Sequence, residues 1–181
     1  VKRVYYASRA LGSNRLTRST PFNRQNSGWN LYRPRIINGN TDAKSDLLYY
    51  YVAPDSQVRI YLDMANASGG FRVSQPQDIV KETGFDWEDF RLLTGDVNGD
   101  GIEDLIWTDQ SNGLSNNRVL TGLGTSSGEF DFETADMSHP QAETWGQYTP
   151  LLLDVNGDRS KDLVYLKPGS SASVYVCLAK E

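Results

Sequence analysis

The sequence predicts an all-β protein built from repeated blades of four antiparallel strands. Three observations predict it: a strict 58-residue repeat, short apolar segments bounded by Gly, Asn and Asp, and no sustained 3.6-residue apolar period. Trp29, Trp87 and Trp145 stand 58 residues apart, and Tyr32, Phe90 and Tyr148 keep the step. Asn38, Asp96 and Asp154 follow, then Asn40, Asn98 and Asn156, then Asp42, Asp100 and Asp158. Asp46, Asp104 and Asp162 come next, beside Leu47, Leu105 and Leu163, with Tyr49, Trp107 and Tyr165 just beyond. Eight columns hold register over two steps without an insertion. Chance does not produce that.

The elements follow in chain order. Each full unit opens on its Trp, read as the start of a strand, and runs into an Asx-rich loop. A β-branched and aromatic strand comes next, such as Asp104–Asp109 or Asp162–Leu166. A third strand is read at Val58–Leu62, Asn117–Leu123 and Ser173–Leu178. A turn (Ser68–Gly70 or Ser126–Gly128) leads to a fourth strand, Phe71–Ser74 or Phe130–Thr134. Val4–Tyr6 and Leu16–Thr17 read as trailing strands of a unit whose first half is missing. The units span about 1–25 (partial), 26–83, 84–141 and 142–181 (partial), all within one domain, 1–181. Four strands per repeated unit describe blades of the β-propeller type or a stacked β array. Three repeats are few for a ring of about four to eight blades. The expectation is therefore a segment of a longer array, or a propeller completed by self-association.

Composition narrows the chemistry. With 38% hydrophobic and 23% charged residues over 181 positions, the chain can bury a core without disulfides. No run approaches the roughly 18 apolar residues of a membrane helix, so membrane insertion is not expected. Cys177 is the only cysteine and His139 the only histidine, which excludes disulfide frameworks, thiolate clusters and His-rich zinc sites. The formal charge of −5 is uneven. Residues 1–37 hold eight basic side chains (Lys2, Arg3, Arg9, Arg15, Arg18, Arg24, Arg33 and Arg35) and no acid. This arm is read as facing an acidic neighbour in its own assembly, since no motif points to nucleic acid. The opening Val-Lys-Arg-Val-Tyr-Tyr lacks signal-peptide anatomy.

The strongest chemical motif is Asp96-Val-Asn98-Gly-Asp100-Gly-Ile102-Glu-Asp104. Side-chain oxygens of Asp96, Asn98, Asp100 and Asp104, with the Ile102 carbonyl, form an all-oxygen donor set suited to Ca²⁺ over Mg²⁺. Gly99 and Gly101 permit the required turn. An EF-hand needs Glu at position 12, where this chain has Trp107, and helical flanks, which it lacks. The loop at 154–162 offers Asp154, Asn156, Asp158, Asp162 and the Ser160 carbonyl, but Arg159 replaces a glycine. The loop at 38–46 offers Asn38, Asn40, Asp42, Asp46 and the Lys44 carbonyl, with only two carboxylates and neither inner glycine. Charge count and geometry rank them 96–104, 154–162, then 38–46, and leave metal in the last open.

At these residues the sequence resembles the FG-GAP (VCBS-type) repeat, the calcium-loop blade of integrin-α-like β-propellers. Asp96–Trp107 fits the Asp-x-Asn-Gly-Asp-Gly-x-x-Asp-Leu-hydrophobic core, and the flanking Trp87–Phe90 and Gly128–Phe130 segments are similar to bacterial members. The resemblance implies blades carrying Ca²⁺ between their first and second strands. Relatives include secreted lectins, adhesins and propeller segments of Tc- and Rhs-type toxins. It thus implies an extracellular or cell-surface, non-catalytic recognition module that binds a glycan or protein surface. The other reading is a calcium-stiffened structural segment of a large toxin or surface protein. No column is left for general acid–base chemistry, so no catalytic residue is expected. Trp29, Trp87 and Trp145 have two readings, sugar-stacking platforms or inter-blade packing, of which packing is favoured. Glu103, outside the donor set, is expected to face solvent. His139 is expected at the surface, and Cys177 as an inert thiol in the last strand.

Overall fold

The computed structural model describes residues 28–52, 58–72, 76–79, 86–111, 116–138 and 145–179. Val4–Tyr6, Leu16–Thr17, the basic residues before Arg33, His139 and the Trp29 side chain lie outside the described residues. Apart from short 3-10 turns, the described residues are all β, in three antiparallel sheets. Sheet I holds β1 (Arg33–Ile37), β2 (Asp46–Val52), β3 (Val58–Ala65), β4 (Phe71–Arg72) and β5 (Gln77–Ile79). Sheet II holds β6 (Phe90–Gly95), β7 (Asp104–Asp109), β8 (Asn116–Gly124) and β9 (Phe130–Ser138). Sheet III holds β10 (Thr149–Leu153), β11 (Asp162–Lys167) and β12 (Ser173–Cys177). The sheets are meanders of the blade type, and the described residues do not close a ring.

Two details differ from the sequence reading. The Trp residues do not begin strands. Each opens a single 3-10 turn, at Trp29–Leu31, Trp87–Asp89 and Trp145–Gln147. In the second unit Asp86 caps that turn, its carboxylate accepting from the Glu88 amide, and the strand starts only at Phe90. The fourth strand of sheet I is also split. β4 pairs Met64 and Ala65 on β3, while β5 pairs Val58–Ile60 on the same strand.

Sheet-on-sheet packing explains the strand composition. β7 is buried at every position, because it is central in its sheet and another sheet covers each face. Alternation sends Leu105, Trp107 and Leu120 toward sheet I, where they meet Leu48, Tyr50, Ile60 and Leu62. The opposite face, with Ile106 and Val119, meets Trp145, Tyr148, Leu163 and Tyr165 of sheet III. Ring contacts knit both cores: Trp87 lies edge-on to Trp107 at 6.1 Å, and Trp145 to Tyr165 at 4.8 Å. Gly95 permits the close approach of sheet III, since a Cβ there would sit 3.2 Å from Leu152 Cδ1.

Candidate functional site

The three Asx-rich loops join the first and second strands of their sheets, so the two-strand frame of each unit holds the loop ends. Within the loop at 96–104, Asp96 accepts from the Gly99 and Gly101 amides at 2.7 and 2.9 Å. Asn98 Oδ1 accepts from the Asp100 amide at 3.1 Å, and Asp100 Oδ1 accepts from the Ile102 amide at 2.8 Å. The loop is a succession of Asx turns, a local alternative to strand pairing that Asp and Asn offer readily. Gly99 and Gly101 take φ of +79° and +84°, which lets consecutive amides point inward.

The loop at 154–162 repeats this bonding. Asp154 accepts from the Gly157 and Arg159 amides at 2.6 and 3.0 Å, Asn156 from Asp158 at 3.0 Å, and Asp158 from Ser160 at 2.9 Å. Arg159 holds φ of +81°, the conformation its counterpart Gly101 adopts freely. A side chain there costs about 1 kcal/mol. These amide bonds hold the Asp154 carboxyl below the ordinary aspartate range.

The loop at 38–46 departs from the plan. Asn40 and Asp42 keep their Asx turns, accepting from the Asp42 and Lys44 amides at 2.8 and 3.0 Å. Asn38 instead reaches into the next unit, donating from Nδ2 to the Gly101 carbonyl at 3.1 Å, and its buried Oδ1 accepts nothing. Lys44 turns its ammonium onto Asp42 Oδ2 at 2.6 Å. That bond pulls the Asp42 carboxyl below its ordinary range. The loop thus neutralises its own exposed carboxylate.

The ninth position behaves alike in all three. Asp46, Asp104 and Asp162 are fully buried. Asp104 accepts from the Val97 amide at 2.8 Å and from the Gly124 amide, at the end of β8, at 2.7 Å. Asp46 accepts from Gly39 and Ala65, and Asp162 from Val155 and Ala179, at 2.7–3.0 Å. Each aspartate therefore latches its loop to the end of the third strand or, at Asp162, to the backbone two residues beyond it. Burial pushes the Asp104 carboxyl up, and the charges of Asp100 and Asp96 push it further in the same direction. Burial likewise raises Asp46.

Residues 96–165 match the FG-GAP-like repeat family. This stretch is similar to an FG-GAP-like repeat. It runs from the first residue of one loop through the whole of the next, one full 58-residue step and part of another. No curated protein matches the chain.

A hard cation fits the FG-GAP-like loops in donor chemistry. Loops 96–104 and 154–162 each carry three carboxylates and an amide oxygen within nine residues, and at Asp104 the charges of Asp100 and Asp96 add to burial in raising the carboxyl, a repulsion of the kind a cation relieves. Their oxygens are engaged by loop amides. Among the described residues no three acidic side chains converge into a metal-holding cluster.

The remaining candidates are placed plainly. Trp87 and Trp145 are 3% exposed inside the inter-sheet cores, so they pack rather than present sugar-stacking faces. Glu103 does not simply face solvent: its Oε2 accepts from the Asn38 amide at 3.3 Å, and its amide donates to the Asn38 carbonyl at 2.8 Å. Lys161 repeats that second bond one unit on, donating to the Asp96 carbonyl at 2.7 Å. Position eight of the loops at 96–104 and 154–162 is thus a main-chain clamp to position one of the preceding loop. Sequence reasoning missed it because any residue supplies a backbone amide. Cys177 is half-buried, and burial raises its thiol.

Proposed function

We propose that the chain is a non-catalytic, propeller-type FG-GAP-like repeat domain that binds Ca²⁺ in its loops at 96–104 and 154–162. The observation that carries this reading is the matched bonding of those two loops, residue for residue, on an all-oxygen, carboxylate-rich donor set. Asp96, Asn98, Asp100 and the Ile102 carbonyl would hold one ion, and Asp154, Asn156, Asp158 and the Ser160 carbonyl the other. Asp104 and Asp162 would add charge from the loop bases. Bound calcium would neutralise crowded carboxylates and stiffen the turns. Loop 38–46 is excluded from the reading because Lys44 already serves Asp42. Thermal melting of chelator-stripped protein with and without calcium tests it: calcium should raise the melting temperature by several degrees and magnesium by less. An unmoved melting curve would refute it.

In this reading the domain works outside the cell or at its surface, recognising a glycan or a protein. No helix among the described residues is long and apolar enough to cross a membrane. A structural role in a larger polypeptide is favoured by one observation. The outer face of sheet III leaves Leu151, Val155, Val174, Val176 and Leu178 exposed. The corresponding face of sheet II, around Leu93, Val97, Ile106 and Val119, is covered by another sheet. A glycan array separates the two roles, since a scaffold binds no sugar above background.

A further inference from the structure

Asn38 opens the loop left out of the calcium reading, yet three hydrogen bonds tie it to the loop at 96–104. Its carbonyl accepts from the Glu103 amide at 2.8 Å, its amide donates to Glu103 Oε2 at 3.3 Å, and its Nδ2 donates to the Gly101 carbonyl at 3.1 Å. A trans peptide is planar, so its N–H and C=O point in opposite directions. In the Gly101–Ile102 peptide the carbonyl faces Asn38, and the Ile102 amide faces the other way, onto Asp100 Oδ1 at 2.8 Å. In the next peptide the Glu103 amide faces Asn38, which turns the Ile102 carbonyl back to the side of Asp100. Ile102 supplies the backbone oxygen of the donor set, and both of its peptides are thus fixed from loop 38–46. Loop 154–162 has less of this support. Lys161 donates to the Asp96 carbonyl at 2.7 Å, but Asp96, the counterpart of Asn38, turns its carboxylate inward onto Gly99 and Gly101. A carboxylate has no proton to give the Arg159 carbonyl, the counterpart of Gly101.

We propose that Asn38 is a positioning residue for the cation site at 96–104, holding the Ile102 carbonyl toward that loop from the neighbouring sheet; this rests on the calcium reading of the loop. The first loop then serves the second instead of holding an ion itself. An ionised Asp at position 38 could accept amides as Asp96 does but could not donate to Gly101, so the brace requires the Asn side chain. Asn38 keeps this place although its buried Oδ1 has no partner, a penalty that an Ala side chain does not carry. Gly101 is exposed, so water takes over its carbonyl once the Asn donor is gone. Positioning and stability therefore come apart at this residue: Asn38→Ala should loosen the Gly101–Glu103 segment while leaving the stability of the chain nearly unmoved.

The test reads each site separately. Asp158→Ala leaves the site at 96–104 and Asp100→Ala leaves the site at 154–162, and each full chain is titrated calorimetrically with calcium, with and without Asn38→Ala. Asn38→Ala should weaken calcium about fivefold at 96–104 and not at 154–162, with little change of the melting temperature in chelator. In chelator, and in the otherwise unaltered chain, Asn38→Ala should also speed hydrogen exchange of the Ile102 and Glu103 amides by about the same factor. Unchanged affinity at 96–104 overturns the proposal and leaves the calcium reading standing. An equal loss at both sites also overturns it, since a residue that merely supports the fold would act so. Unaltered exchange at Ile102 and Glu103 overturns it without reference to calcium. An Asp158→Ala chain that retains Asn38 and binds no calcium sinks the calcium reading and this proposal with it.

Discussion

The loops at 96–104 and 38–46 share one frame and differ in what they enclose. Both span the first two strands of a sheet, both carry Asx turns at positions three and five, and both end on a buried aspartate that bonds the end of the third strand. In the first, Asp96 turns inward and gathers two amides. In the second, Asn38 turns outward to Gly101, and Lys44 places an ammonium on Asp42. The repeat thus mixes two kinds of column. The ninth aspartate belongs to folding and is common to both, while the first and seventh positions decide whether negative charge stays available for an ion.

The largest expected effect tests the shared half of that comparison. Asp104→Ala and Asp46→Ala should each cost about 3 kcal/mol, because each removes the acceptor of one buried and one part-buried amide and leaves a cavity. Urea unfolding with and without calcium measures both. If Asp46→Ala proves mild, the ninth position is not a common latch.

The next tests the difference. At a hundredfold excess over the dissociation constant, each occupied site contributes about 2.7 kcal/mol, which appears as a calcium-dependent rise in melting temperature. Asp100→Ala should remove the share of its own loop, whereas Asp42→Ala should leave the calcium response unchanged. Equal losses would erase the distinction between the loops.

Titration gives a smaller signature. In chelator, carbon-detected NMR should show Asp104 and Asp46 losing their protons above the ordinary aspartate range, and Asp42 and Asp154 below it. The signs for stability are opposite. A raised carboxyl favours the folded state most below its unfolded value, and that contribution declines as pH rises through the folded value. A lowered carboxyl contributes above its unfolded value and loses that contribution as pH falls through the folded one. Calcium should pull Asp104 down and leave Asp42 where it was.

The smallest effect concerns the loop at 154–162. Arg159→Gly should stabilise the chain by about 1 kcal/mol, since the native backbone already holds φ of +81°. Gly101→Ala, at the equivalent φ of +84°, should cost a similar amount although no atom lies within 4 Å of the added carbon. Differential scanning calorimetry resolves both.

Most of the fold was legible because it is written in side chains that recur every 58 residues. Alternating apolar strands, the Asx loops and the aromatic columns each need particular residue types, and spacing exposes them. The parts that stayed hidden are carried by backbone. The clamp from Glu103 and Lys161 uses main-chain amides, which leave no trace in sequence. The 3-10 turn at each Trp involves only three residues, too few for a period to register. One signal was available and unread: the residues that the ninth aspartate grips, Ala65, Gly124 and Ala179, are all small. At Gly124 a Cβ would strike Ile102 at 2.8 Å and the Glu103 carbonyl at 2.9 Å, so smallness there is required.

The most direct test of the account is the number of calcium ions bound. Isothermal titration of calcium into the chelator-stripped chain should give two sites per chain, falling to one with Asp100→Ala and staying at two with Asp42→Ala. Three sites would show that Lys44 does not silence the loop at 38–46, and none would show that the loops serve the fold alone.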